Sequence, residues 1–253
     1  MSVKNIMLNI LIVLILFSCK KNGVIQNNFS NKVKTYSEES ANLGSPTIER
    51  FNVSYDSQDR VISLISSTSN AQFLYSYNSS SSYTLDIKEG TNLIIRVFNY
   101  INTNSLIDSS FQYNNTNDST TMKLTYNSSN QLIEQKSYDY SLSLGSVIFR
   151  KNKYIYNNLG DLSKDLELSA TGDTNSITTY LYTNTFGNTF SLATIYSPTF
   201  HKHLPETMTV YFPAFNTSVT STYAYIFDNS SRVIQEKQIS SGGNYVIKKY
   251  EYY

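Results

Sequence analysis

The chain has 253 residues, a net charge of +1 and one cysteine. This length suffices for one domain with a sizeable core. The balanced charge, carried by only 15% of residues, offers no basic field for nucleic acid and no acidic tail, and a single cysteine excludes an internal disulfide, so burial alone must hold the fold. Ser, Thr and Asn together make up more than a third of the chain, Tyr (22) outnumbers Phe (13), and Trp is absent. That mixture suits β-strands with uncharged polar outer faces.

Residues 1–18 are read first. Lys4 gives a short positive start, and Ile6 to Phe17 is an apolar run broken only by Asn9. Such a run falls short of the roughly 20 residues that a membrane-spanning helix needs, and it fits the apolar region of a secretory signal. It ends at Leu16-Phe17-Ser18-Cys19, where Cys19 is the only cysteine. This segment resembles the lipobox of bacterial lipoproteins, with Phe17 in place of a small residue. The resemblance implies cleavage after Ser18 and a lipid on Cys19 that anchors the chain to a bilayer. Cleavage removes Lys4 and leaves 19 basic against 19 acidic residues.

Residues 19–47 read as a flexible tether. Lys20-Lys21-Asn22-Gly23 and Gln26-Asn27-Asn28 are polar, and Gly44-Ser45-Pro46 ends the segment with turn formers. A short first strand through Val24-Ile25 or Val33 is the alternative. The folded domain is expected over residues 48–253.

From there a unit recurs. An aliphatic or aromatic residue, a spacer, an aromatic, a polar turn and a new apolar start appear as Val53-Ser54-Tyr55-Asp56, Leu124-Thr125-Tyr126-Asn127, Tyr154-Ile155-Tyr156-Asn157 and Tyr225-Ile226-Phe227-Asp228. The aromatic anchors are Tyr55, Tyr77, Tyr100, Tyr126, Tyr156, Tyr182, Phe227 and Tyr252, spaced 22 to 30 residues apart except for one gap of 45. A period of this size marks a repeat architecture. Residues two apart on a strand share a face. Asp or Asn after the aromatic starts a turn through its own side chain. The fourth residue after the aromatic (Asp59, Asn104, Asn130, Gly160, Ser231) includes types that tolerate positive φ. Val61, Leu106, Leu132, Leu162 and Val233 then restart an apolar strand. Each unit reads as a hairpin, and the chain as an all-β antiparallel meander of serial hairpins forming an open, twisted or curled sheet. A closed barrel or a sandwich is the alternative, because long sheets expose edges. A membrane-spanning barrel is not expected, since Lys123, Lys136 and Lys237 fall inside predicted strands.

The unit resembles the tyrosine–aspartate (YD, Rhs-type) repeats of bacterial secreted and surface proteins. Tyr55-Asp56-Ser57-Gln58-Asp59-Arg60-Val61 comes nearest, and Tyr156 to Leu162 keeps the Gly at Gly160. Elsewhere the Gly is mostly replaced, and only Arg60 and Arg232 keep the Arg. With the lipobox, the chain resembles repeat-bearing lipoproteins of Bacteroidota, which implies a β-sheet scaffold without an active site.

The search for chemistry yields little. His201 and His203 are the only histidines, and Glu206 is near, a spacing that suits metal ligands. Pro198, Pro205 and Pro213 surround them, so solvated loop histidines are expected and no metal or cofactor is assigned. No G-x-S-x-G motif occurs, and a hydrolase triad needs a histidine beside a positioned nucleophile. Asp56, Asp161 and Asp228 fall in predicted turns, where capping explains them. Glu134 and Glu236 lie beside Lys136 and Lys237 as strand-surface pairs. Gly242-Gly243 reads as a hairpin turn. The tyrosines are assigned to the core rather than to sugar stacking.

The resulting expectation is a membrane-anchored cell-envelope lipoprotein, non-catalytic, serving as a binding or structural scaffold. Its partners would be the bilayer through Cys19 and a glycan or envelope protein. The alternative is an enzyme acting on polysaccharide or peptide through carboxylates that the fold brings together. The expected location is the outer membrane, facing the periplasm or the cell surface. Lys20-Lys21-Asn22 after Cys19, with the first acid only at Glu38, departs from the acidic start of many surface-exported lipoproteins of Bacteroidota.

Overall fold

The computed structural model describes residues 32–41, 46–114, 118–141, 145–183 and 201–253. The signal segment 1–18, Cys19 and residues 20–31 of the expected tether lie outside the described residues. Sixteen strands follow in order: β1 (Val33–Ala41), β2 (Thr47–Tyr55), β3 (Val61–Ser66), β4 (Ala71–Ser79), β5 (Ser82–Glu89), β6 (Asn92–Ile101), β7 (Ile107–Asn114), β8 (Ser119–Tyr126), β9 (Leu132–Ser141), β10 (Ser146–Tyr156), β11 (Leu162–Leu168), β12 (Thr174–Leu181), β13 (Thr207–Phe212), β14 (Thr217–Phe227), β15 (Val233–Ser240) and β16 (Tyr245–Tyr252). A 3-10 turn, Pro213–Phe215, links β13 to β14.

Each strand pairs antiparallel with its neighbours, and β1 pairs with both β2 and β16, so the sheet closes into a barrel. This corrects the expected open sheet. The closing strand lies inside the segment read as tether, which is thereby corrected for residues 33–41. Its sequence hides the strand because five of the last six residues, Tyr36 to Ala41, are small or polar. They are paired on both edges. Inward Glu38 lies opposite Lys248, and Tyr36 stacks on Tyr250 at 5.5 Å. Closure removes the two edges that an open meander would expose.

The hairpin turns after aromatic anchors follow one geometry. Asp56 Oδ1 accepts from the amides of Gln58 and Arg60, both at 2.9 Å, and Asp59 takes φ +62°. Asn127, Asn157 and Asp228 repeat this arrangement, with Asn130, Gly160 and Ser231 at positive φ. At the β6–β7 turn the frame moves on by one. Asn102 is the acceptor and Ser105, not Asn104, takes φ +60°.

The tyrosine anchors have a second role that composition does not disclose. Tyr55, Tyr77, Tyr126, Tyr156, Tyr182 and Tyr252 each donate from the phenol to the first carbonyl of the preceding strand: Val33, Val61, Ile107, Leu132, Leu162 and Val233, at 2.7–3.0 Å. Each bond ties a strand end to the start of its neighbour and contributes about 1 kcal/mol. Two anchors differ from expectation. On β6 the anchor position just past the register shift, held elsewhere by Tyr55, Tyr126 and Tyr156, is held by Ile101, and Tyr100 points outward, 51% exposed. Phe227 has no hydroxyl, and Tyr225 donates instead to Pro205 at 2.8 Å.

Strand alternation gives the barrel an inner and an outer face. Along β1–β6, β15 and β16 the inner face is filled. Phe51, Phe73, Leu64 and Ile87 are each about 1% exposed, and the Phe51 and Phe73 rings meet edge to face at 5.6 Å. The outer face is polar along much of its circumference. It carries Arg50, Asn52 and Ser54 on β2, Asp86 and Lys88 on β5, and Lys237 and Lys249 on β15 and β16.

Candidate functional site

One end of the barrel bears the tyrosine-tied turns and both described chain ends, joined by the Tyr253 amide to the Lys32 carbonyl at 3.1 Å. The segment 201–206 packs across this turn end. Leu204 is 5% exposed and belongs to the main core. Asp161, at the end of the β10–β11 turn, is fully buried and accepts three hydrogen bonds: from the amides of Lys202 (2.7 Å) and His203 (2.8 Å) and from His203 Nδ1 (2.8 Å). Burial raises its pKa, but the His203 side chain and these amides outweigh burial and hold the carboxyl below its ordinary value. Gly160 beside it takes φ +87°, in the left-handed region that its turn equivalents Asp59, Asn130 and Ser231 also adopt, and a Cβ there would meet only the end of the Lys202 side chain.

His201 sits against Tyr180 (4.8 Å between ring centroids) and bonds through Nδ1 to the Tyr182 hydroxyl. Because that hydroxyl donates to Leu162, His201 Nδ1 is the donor to it. Burial lowers the His201 pKa to about 4, so the ring is neutral. Neither histidine is the solvated loop residue that the prolines implied. The structure gives the two rings different partners, and Glu206 serves the chain through backbone bonds to Leu181 and Tyr223. Among the described residues, no group of three or more His, Cys, Asp or Glu is placed to hold a metal ion. Both histidines thus close the barrel end.

The other half of the lumen differs from the filled one. Along β7–β13 the inward side chains are largely polar, and Gln112, Met122, Gln135, Asn152, Glu167 and Thr178 keep partial contact with water at mid-strand. Asp165 lies on the same face. Asn152 Nδ2 donates to it at 3.1 Å, and burial raises its pKa to about 6. Glu167, two residues on, accepts from Ser176 at 3.2 Å. Nearer the far end Asp139 accepts from Thr120 at 2.8 Å and pairs with Arg150. On the boundary with the filled half, Ser110 Oγ is buried without a partner, the one such side-chain atom among the described residues. Asp165 and Glu167 stand two residues apart on the same face of β11.

Sequence reading missed this wall. Its only signal was the i, i+2 spacing of Asp165 and Glu167, which also fits a solvated strand face. Of the predicted turn-capping acids, Asp56 and Asp228 each cap a turn and pair with Arg60 and Arg232, whereas Asp161 leaves its turn to Asn157 and holds the segment 202–203 instead. Those guanidinium groups lie 4.1 and 4.3 Å from the ring centroids of Tyr77 and Tyr252. Glu134 pairs with Lys136 as expected, at 3.0 Å, and also with Lys151 at 2.7 Å. Glu236 does not pair at the surface. It points inward and holds buried Lys248 at 3.0 Å.

No protein-family model and no curated protein matches the chain. Solved structures share its fold. A porin-like protein from Bacteroides uniformis aligns with a TM-score of 0.61 at 14% identity, covering 88% of this chain and 98% of the other. A porin-like protein from Bacteroides vulgatus gives 0.63 at 11% identity, covering 87% and 98%. At these identities the likeness establishes the barrel fold.

Proposed function

We propose that the protein is a lipid-anchored, non-catalytic binding scaffold of the cell envelope, whose barrel stands in water beside the membrane. The observation that carries this reading is the outer wall. A barrel embedded in lipid needs a continuous apolar band about 25 Å tall, with its polar residues inside. Here the charged side chains of Arg50, Asp86, Arg96, Lys136, Lys151 and Lys237 point outward from strands, and aromatic and aliphatic side chains fill half of the lumen. Resemblance to porin-like barrels supports an envelope role, and the lipobox-like segment at Cys19 supplies the anchor that such a wall lacks. The described chain starts at Lys32 on the turn end, so a lipid on Cys19 would bring that end toward the bilayer and leave the far end directed away.

Fractionation of cells producing the full chain or Cys19→Ala tests this. The wild type should sediment with outer membranes and dissolve in mild detergent, and the alanine variant should become soluble. Retention of Cys19→Ala in a carbonate-washed membrane pellet would show an embedded barrel and end the proposal. Protease shaving of intact cells assigns the membrane face.

A further inference from the structure

The outer wall of β6–β10 differs from the rest. Following the pairing across these strands, Phe98 lies opposite Phe111, Phe111 opposite Thr121, Thr121 opposite Tyr138, and Tyr138 opposite Phe149. The row spans four strand spacings, roughly 19 Å. The Phe98 and Phe111 rings are stacked at 6.4 Å, Tyr113 lies 6.2 Å from Phe111, and Tyr138 and Phe149 are 5.1 Å apart. The adjacent row toward the far end is Arg96, Tyr113, Ser119, Tyr140 and Val147. These rings are open to solvent: Phe111 is 38% exposed, Tyr138 41% and Tyr140 38%. Aromatic rows in register on a water-facing wall are not needed for packing, and a patch of this kind marks a contact surface.

The row on the other side identifies the kind of partner. Lys123 lies opposite Lys136, and Lys136 opposite Lys151. Like charges directly opposite one another destabilise a sheet. Glu134 bridges Lys136 and Lys151, which leaves three cations against one carboxylate, with Lys123 exposed at the edge. The cost of that row calls for an anion that offsets it.

We propose that this wall binds an anionic polysaccharide. Sugar faces would stack on the rings of Phe111 and Tyr138, hydroxyls would bond to Thr121, Ser119 and the tyrosine phenols, and carboxylate or sulfate groups would meet the lysine row. A bilayer fits less well. The Tyr138, Tyr140 and Phe149 rings occupy the half of β9 and β10 toward the far end, while the chain start lies at the turn end. The inference rests on the reading of the outer wall as water-facing and of the chain as exported, which also removes nucleic acid as a partner.

Affinity electrophoresis of the full chain in mild detergent, through gels containing polygalacturonate, heparin or neutral dextran, tests it. Retardation is expected in an anionic gel and not in dextran. Phe111→Ala/Tyr138→Ala should weaken binding at least tenfold. Lys123→Gln/Lys136→Gln should weaken it similarly and flatten its salt dependence, and this variant should keep or raise its melting temperature because it relieves repulsion. The proposal fails if neither anionic gel retards the protein, if dextran retards it equally, or if both variants bind like the wild type. It also fails if a thymidine 20-mer or anionic phospholipid vesicles bind this wall more tightly, or if Phe111→Ala abolishes a dimer instead. A soluble Cys19→Ala chain that binds no polysaccharide overturns this inference alone. A Cys19→Ala chain that stays in the membrane overturns the water-facing wall as well.

Discussion

Asp165→Asn should stabilise the protein above neutral pH. Asp165 points into the lumen from β11, with Asn152 as its donor, and burial lifts its pKa from 3.8 to about 6. The folded chain therefore keeps a proton between roughly pH 4 and 6 that the unfolded chain has released, and stability falls as pH rises through that window. At about 1.4 kcal/mol per pH unit, the difference amounts to about 3 kcal/mol. Partial contact with water screens this to roughly 1.5 kcal/mol. An asparagine carbonyl accepts the same bond from Asn152 with no charge to desolvate. Urea unfolding at pH 4, 5, 6 and 7.5 should give the two proteins nearly equal stability at pH 4, with the variant ahead by 1–3 kcal/mol at pH 7.5. A variant less stable than wild type at pH 7.5, or parallel pH profiles for the two proteins, would refute the assignment of Asp165 as a carboxylate penalised by burial.

Other expectations follow from single contacts. Tyr156→Phe removes the donor to the Leu132 carbonyl at 2.9 Å and should cost about 1 kcal/mol in urea unfolding, whereas outward Tyr100→Phe should be neutral. Lys248→Met leaves the partly buried Glu236 and Glu38 without their cation and should cost about 3 kcal/mol. Adding Glu236→Gln should recover part of that loss. Asp161→Asn weakens the acceptor for the Lys202 and His203 amides, and hydrogen exchange there should quicken by tenfold or more, at about 2 kcal/mol. Because the Asp161 pKa is depressed, its contribution is present above pH 4 and fades as pH falls below it, so wild type and variant should converge under acid.

Much of the fold is legible locally. Turn chemistry is set by neighbours within five residues, so Asp56, Asn127, Asn157 and Asp228 could be assigned from their positions after an aromatic, and strand faces follow from a period of two. The shift at Asn102 escaped because the anchor position on β6 holds Ile101 rather than an aromatic, and the outward Tyr100 beside it mimics the motif. The lumen wall escaped for a related reason. Asp165, Asn152 and Gln135 sit on three strands, and nothing in their own segments marks one face as inner. The aromatic rows of β6–β10 were taken for core because Tyr and Phe at alternating positions look the same whether they point in or out.

The sequence by itself determined most of the strands and turns and their antiparallel order, because each depends on contacts close in the chain. Tertiary structure decided closure. Val33–Ala41 is too polar to announce a strand, and its pairing with β16 joins residues some 200 positions apart. The same closure decided which carboxylates are buried with a cation, as at Glu236, and which aromatics face water, as at Tyr138. Those are properties of a surface that exists only once the first and last strands have met.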